Sequence, residues 1–331
     1  MSGQTVAFVQ GLRAQVIAAL GSILPVERPF ALVDVPNHGN VGDSAIFLGE
    51  LAWMRDAGLP PPDYMCDIYS YDEAALRARV PHGTIFIHGG GNLGDLWKYH
   101  QALRELIVST FPSHRVIQLP QTIHFASREA CERTAAVLSA HKDLTIMARD
   151  RVSLEIARDG LGCRKTLICP DAAFALGPID RPSSPTDDVL ALVRTDKESA
   201  HRPLPSHLQP VDWLEDRTTT GLRLERFLRR HQMAFQVRTR LRQPLAEQRL
   251  QRGCRLLSRG RQVVTDRLHA HILCLMMGIP HVVVDNSYGK LRSFFELWTR
   301  DAPAVRFCRD WTEVDSALLS LRSAGLEVGR A

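Results

Sequence analysis

Short apolar runs alternate with helical patterns along most of the chain. "FALVDV" (30–35), "TIFIHG" (84–89), "RVIQLP" (115–120), "LTIMAR" (144–149) and "KTLICP" (165–170) have the length and apolar content of buried strands. Helical stretches at 44–57, 99–110, 127–140 and 150–159 separate them. Such alternation builds a parallel sheet covered by helices on both faces. "GPIDRPSSPTDD" (177–188) reads as a linker, and a second α/β set follows: "VLALVRT" (189–195), "PVDWL" (210–214), a long Arg-rich helical region, "QVVTD" (262–266) and "HVVVD" (281–285). Pro244 is expected to divide the Arg-rich region into two helices. The predicted architecture is α/β, with two Rossmann-like domains (1–178 and 188–331) around a cleft that faces the strands' carboxyl ends.

Composition fits that size. With 331 residues, 45% of them hydrophobic, the chain can bury a large core in two domains of ordinary size. It has no uncharged apolar run long enough to span a bilayer. The opening "MSGQTVAFVQGLRAQVIAALGSILP" lacks a basic leader and is interrupted by Arg13, so it reads as an amphipathic helix. Seven cysteines, with no CxxC or zinc spacing, suggest reduced thiols and a cytoplasmic setting.

The net charge of +5 is unevenly spread. Between Arg217 and Arg261 there are thirteen arginines against Glu225 and Glu247, an excess of +11 that leaves the remainder at about −6. Such a block suits a solvated helical face, pairing with acids elsewhere in the chain, or an anionic partner such as phosphate or a membrane surface. Nucleic acid is not expected, because only Phe227 and Phe235 interleave with the basic residues.

Candidate chemistry gathers at the expected strand ends. GN-x-GD occurs twice, as Gly39-Asn40-Val41-Gly42-Asp43 and as Gly91-Asn92-Leu93-Gly94-Asp95, the latter after Gly90. Each copy reads as a strand-to-helix turn, where glycines admit a ligand to backbone N–H groups and a helix N-terminus favours an anion. Asn40, Asp43, Asn92 and Asp95 could cap helices or hold sugar hydroxyls. Neither copy is a Walker loop or a GxGxxG motif. Arg149 ends a strand before Asp150 opens a helix; Gln121, Thr122 and His124 end another; Asp171 follows a third, where capping is the default role. In "VVTDRLHAHI", Asp266 reads as an N-cap with Arg267, Leu268 and His269 in the first helical turn. Cations oppose the macrodipole there, which makes sense if an anion binds. His269 could then exchange protons near neutrality, whereas His271, on the other side of the helix, reads as structural. Asn286, Tyr288 and Lys290 of "DNSYGK" could reach the same cleft.

Taken together, "GNVGD", "HGGGNLGD", Arg149 after "LTIMA" and, above all, "VVTDRLHAHILCLMMGIPHVVVDNSYGK" resemble the polysaccharide pyruvyl transferase family over roughly residues 30–298. The resemblance implies a glycosyltransferase-B-like fold and transfer of pyruvate from phosphoenolpyruvate to a saccharide as a cyclic ketal in surface polysaccharide synthesis. It assigns His269 as the catalytic histidine and Arg149, Arg267 and Leu268 to the donor. No cofactor or metal is implied. The acceptor would be lipid-linked and met at the inner face of the cytoplasmic membrane. The resemblance assigns nothing to the basic 217–261 stretch, whose charge and interspersed apolar residues alone lead to the expectation of a peripheral membrane contact there. Asp43 and Asp95 are candidates for the base that deprotonates the acceptor. Two alternatives remain: a nucleotide-sugar glycosyltransferase on the same fold, with Asp285 as the only hint of a ribose-binding carboxylate, and a non-enzymatic subunit of a polysaccharide assembly complex.

Overall fold

A computed structural model describes residues 1–194, 204–213, 235–285 and 290–328, without the side chains of 235–240, 290 and 324–328. The first sheet uses β1 (Phe30–Val33), β2 (Tyr64–Cys66), β3 (Thr84–Ile87), β4 (Gly90–Gly94), β5 (Arg115–His124), β6 (Leu144–Ala148) and β7 (Lys165–Ile168). Its order is β2-β1-β3-β5-β6-β7, with β4 paired to the outer half of β5. The second sheet uses β8 (Asp187–Leu192), β9 (Pro210–Val211), β10 (Gly260–Thr265), β11 (His281–Val284) and β12 (Val305–Cys308), in the order β12-β11-β10-β8-β9. Every described pairing is parallel. This is the expected α/β architecture with two parallel sheets, and strands such as "TIFI" and "HVVV" are buried along their whole length, as parallel strands covered on both faces must be.

The helices are α1 (Gly3–Gly21), α2 (Val41–Asp56), α3 (Glu73–Arg79), α4 (Lys98–Thr110), α5 (Arg128–Ala140), α6 (Arg151–Glu155), α7 (Phe235–Ser258), α8 (Leu268–Met277), α9 (Lys290–Phe294) and α10 (Val314–Val328). One apolar core runs from α1 through α2 and α8 into both sheets, joining Val9, Phe47, Phe174, Leu190, Ile272 and Val283. Separate clusters fill the outer face of each sheet. The predicted linker is fixed to this core: the Ile179 N–H donates to the Met276 carbonyl, and Arg181 donates to the carbonyls of Ser258 and Gly260.

Three local expectations change. The second GN-x-GD copy is a strand, β4, and not a turn before a helix. Gly90 and Gly94 take positive φ, and a Cβ on Gly94 would overlap the His124 carbonyl, so the glycines allow close pairing with β5. Pro244 lies inside α7 without ending it; burial of Leu245, Ala246, Cys254 and Leu257 outweighs one missing N–H. Asp266 does not cap α8. Arg267 occupies that position, its N–H bonded to Thr265 Oγ1, while Asp266 accepts the Arg194 N–H.

Helix α2 lies unusually close to a 3-10 turn at Ala172–Leu176, because a Cβ on Gly49 would overlap the Ala172 carbonyl. Alanine normally stabilises a helix interior by up to ~1 kcal/mol over glycine. Gly49→Ala is expected to do the opposite, losing about 1–3 kcal/mol by overpacking, as read from urea unfolding.

Candidate active site

The side chains of interest sit at the carboxyl ends of both sheets. Asp34 follows β1, His88 follows β3, Gln121 and Thr122 lie late in β5, Arg149 follows β6, and Asp171 follows β7. From the second sheet, Asp266 and Arg267 follow β10. Helices α2 and α8 pack together there, and His269, in the first turn of α8, lies against Gly42 in the first turn of α2. A Cβ on Gly42 would overlap His269 Nδ1. Asn40 caps α2 by accepting the Gly42 N–H at 3.1 Å. Two helix N-termini thus converge on one imidazole, a setting that favours an anion.

The other ring nitrogen meets a carboxylate: His269 Nε2 is 3.4 Å from Asp171 Oδ2. The same oxygen takes a 2.5 Å hydrogen bond from Arg149 Nη1, and Asp171 Oδ1 accepts the Ala173 N–H at 2.9 Å. Burial opposes ionisation of Asp171, but His269 and Arg149 more than offset it and hold the carboxyl far below its ordinary range. Arg149 also donates to Thr122 Oγ1 at 2.8 Å, and its own carbonyl accepts the Trp298 indole N–H at 2.8 Å. The capping role expected for Asp171 is real, yet it also links Arg149 to His269. Its place at a strand end next to that of Arg149 was the available signal.

Arg267, 3% exposed, is paired with Asp212 and lies over the Trp213 ring. Each arginine therefore arrives with a buried aspartate. Leu268 is 5% exposed and packs in the core, so what it offers a ligand is its backbone N–H at the helix start. His271 is structural, as expected, held by His281 at 2.7 Å and Thr299 at 2.9 Å.

The first GN-x-GD copy stands over the site. Asp43 Oδ2 accepts from Asn40 Nδ2 at 2.7 Å and is 3.6 Å from His38 Nε2. Burial raises its proton affinity; His38, His269, His88 and His100 more than reverse that, so Asp43 titrates below its ordinary value. Beneath it, Glu50 holds the Gly89 N–H at 2.8 Å and His88 Nδ1 at 2.7 Å. Burial disfavours charge on His88, but Glu50 overrides this and raises its pKa. Gly91 and Asn92 line a pocket with Trp97, Thr122, His124 and Asp150. Asp95 does not join them: its carboxylate accepts the N–H groups of Ala126 and Ser127 at 2.8–3.0 Å, fixing the turn before α5, and this removes it as a candidate base. Asn286 and Tyr288 lie outside the described residues, as does the Lys290 side chain.

Several arginines of the basic stretch have partners within the chain where it is described, some of them at the surface. Arg242 pairs with Asp67 at 2.8 Å, Arg259 with Asp187 at 3.0 Å and Arg261 with Asp188 at 3.5 Å, while Arg252 donates to the Gly39 carbonyl at 2.6 Å. Pairing with acids elsewhere in the chain therefore accounts for part of the basic excess.

The family model for polysaccharide pyruvyl transferase matches residues 40–288. The chain belongs to that family. It is 31% identical over 304 residues to the putative pyruvyl transferase EpsO of Bacillus subtilis, covering 88% of this chain and 92% of that protein. It is 33% identical over 284 residues to pyruvyl transferase 1 of Schizosaccharomyces pombe, covering 82% of this chain and 70% of that one. A crystal structure of a functionally uncharacterized Klebsiella pneumoniae protein superposes with a TM-score of 0.58 at 17% identity, covering 94% of this chain and 100% of the other, and shares the fold. This pyruvyl transferase is thus an enzyme of polysaccharide biosynthesis. No helix among the described residues is long and apolar enough to cross a membrane.

Asp171→Asn removes the partner of a buried guanidinium and is expected to cost about 3–5 kcal/mol at pH 7. Because the folded carboxyl titrates below its unfolded value of about 3.9, the wild-type advantage is full above that pH and fades as pH falls through the folded value. Urea unfolding across the acid range should show the gap between the two proteins closing below about pH 4. A gap constant with pH would mean that the charge of Asp171 is not what stabilises the fold.

Proposed function

We propose that this enzyme transfers pyruvate from phosphoenolpyruvate to two hydroxyls of one sugar, forming a cyclic ketal and releasing phosphate. The observation that carries this reading is the seat of His269, between the Asp171 carboxylate and the N-terminal turn of α2. The donor is a small polyanion with phosphate and carboxylate at opposite ends. Helix N-termini and guanidiniums are suited to holding both. Arg267, set by Asp212 and Trp213, and Arg149, set by Asp171 and Thr122, are oriented before any ligand arrives, which limits the ordering cost of binding.

Ketal formation turns the donor's methylene into a methyl group. His269, as general acid, protonates C3 and C2 becomes electrophilic, open to a sugar hydroxyl. Asp171 supplies the counter-charge for the imidazolium. Phosphate departs, and the second hydroxyl closes the ring. The nucleotide-sugar alternative gains nothing from the geometry, because Asp285 is engaged by Arg292 through the backbone N–H at 3.3 Å and the guanidinium at 3.0 Å.

A lipid-linked acceptor at the inner membrane face belongs to the same reading, supported by the basic excess of 217–261. The partners of Arg242, Arg252, Arg259 and Arg261 within the chain narrow that support chiefly to the arginines of 217–234, outside the described residues.

His269→Ala is expected to leave phosphoenolpyruvate affinity within a few-fold while lowering ketal formation by about 10²–10⁴-fold. Calorimetry and phosphate release measure the two separately, and a rate loss under about tenfold would remove His269 from the acid role. Arg267→Lys keeps the charge but loses the planar fork that fits phosphate or carboxylate. A loss of about 2–3 kcal/mol in donor binding is expected, and an unchanged donor constant would show that Arg267 does not touch the donor.

A further inference from the structure

Of the two candidate bases for the acceptor, Asp43 remains, and a chain of forced hydrogen-bond orientations points to a second acceptor-side group beside it. It starts at Arg104, 1% exposed, whose guanidinium can only donate. Arg104 Nη2 donates to Asn92 Oδ1 at 2.7 Å, which fixes the Asn92 amide with its nitrogen toward Asp34 Oδ2 at 3.3 Å. Asn92 Oδ1 accepts a second hydrogen bond, from Gln121 Nε2 at 2.7 Å. The Gln121 amide is thereby fixed as well, because the opposite orientation would set two acceptor oxygens against each other. Its Oε1 is turned away from all of these partners.

That oxygen is buried, belongs to a residue with 0% exposure, and has no hydrogen-bond partner among the described residues. A buried acceptor left in this state costs free energy unless something donates to it. It lies near Gly90: the position a Cβ would take there is 3.8 Å from Gln121 Oε1, 3.7 Å from Asp43 Oδ1 and 3.5 Å from Ile46 Cδ1. Gly90 has φ of +126° and no side chain, so no atom of its own fills the position that the two oxygens and the Ile46 methyl surround. Asp43 is partly occupied through Oδ2, by Asn40, which leaves Oδ1 toward that space. Asp43 follows Gly42, against which His269 packs, so the acid and the carboxylate are held by the same first turn of α2.

We propose that Asp43 Oδ1 and Gln121 Oε1 receive the two hydroxyl hydrogens of the acceptor sugar's diol, Asp43 as the base for the attacking hydroxyl and Gln121 as the acceptor that orients the second. This rests on the pyruvyl transfer reading above and pairs its candidate base with a second acceptor-side group. The first hydroxyl's O–H bond breaks toward Asp43 as its oxygen bonds to C2, while the C2–C3 π pair takes the proton from His269. The C2–O(phosphate) bond then breaks, and the second hydroxyl's oxygen forms the second C2–O bond. Of the two hydroxyl protons lost, one replaces the proton His269 gave to C3 and the other leaves with phosphate. A carboxylate with lowered proton affinity suffices, because an oxygen bonding to an electrophilic carbon becomes strongly acidic as the bond forms.

The test uses the full chain with phosphoenolpyruvate and the p-nitrophenyl glycosides of galactose, glucose, mannose and the N-acetylhexosamines, following phosphate release and ketal mass. Gln121→Leu is expected to raise the acceptor KM by about tenfold while the phosphoenolpyruvate KM stays within about threefold. Asp43→Asn should lower kcat by about 10²–10⁴-fold with donor affinity, measured by calorimetry, unchanged. Retained donor binding also confirms that each variant is folded. An unchanged acceptor KM in Gln121→Leu, or a loss confined to donor affinity in either variant, overturns the assignment. A wild-type enzyme that binds phosphoenolpyruvate but forms no ketal with any of these sugars overturns the reading beneath it instead.

Discussion

The arrangement around His269 depends on one buried charge pair. Arg149 and Asp171 are about 2% exposed or less, and neither charge could remain in the interior alone. Their pairing spends only part of each group. Asp171 keeps an oxygen for the 3-10 turn that packs on α2 and shares the other with His269, while the Arg149 backbone carbonyl receives the Trp298 indole from the second half of the chain. A contact between strand ends of one sheet is thereby connected to α2, to α8 and to the segment after α9. Breaking it would loosen the elements that converge on the imidazole, which is why stability and activity are tied together at this point.

The same logic repeats at Arg267, whose partner Asp212 comes from the strand end after β9. Pairing each guanidinium with an aspartate lowers the net positive charge around it and fixes its orientation, so that the helix N-termini and the imidazole share in anion attraction. On the proposed reaction this has a use. A polyanionic donor is attracted without being held so strongly that phosphate cannot leave. Glycine supplies the proximity: with any side chain at position 42, the first turn of α2 could not lie against His269.

Periodicity made the sheets legible. Uninterrupted apolar runs such as "TIFI" and "HVVV" have few alternatives to a buried parallel strand, and the observed strands begin within a residue or two of the expected ones. β2, β4 and β12 were not anticipated, since three to five residues bearing Cys, Gly or Arg carry little pattern. "GGNLG" has no strand-like residue except Leu93; its conformation is imposed by β5 alongside, which local sequence does not encode. Candidate site residues stood out in the sequence where chemistry clashed with context, as with Arg267 and His269 at a helix start. Asp171 was not, because capping explains an Asp after a strand completely. Its second role appears only when β6 and β7 are placed side by side.

Gln121 marks the limit of what residue type can reveal. An amide has a donor end and an acceptor end, and sequence says nothing about which end faces the ligand. Here the choice is made two hydrogen bonds away, by a guanidinium that cannot accept. The orientation passes through Asn92, whose oxygen is claimed from two sides. Each link is a short, part-buried hydrogen bond, and reversing one amide would require reversing the next and would end in an acceptor facing an acceptor. The relay therefore turns the fixed polarity of Arg104 into a fixed acceptor at Gln121, opposite a carboxylate of the same polarity. Two acceptors facing one gap repel a phosphate or carboxylate and admit hydroxyl donors. On the proposed reaction this keeps the donor on the side of the helix N-termini and reserves the Gly90 side for the sugar.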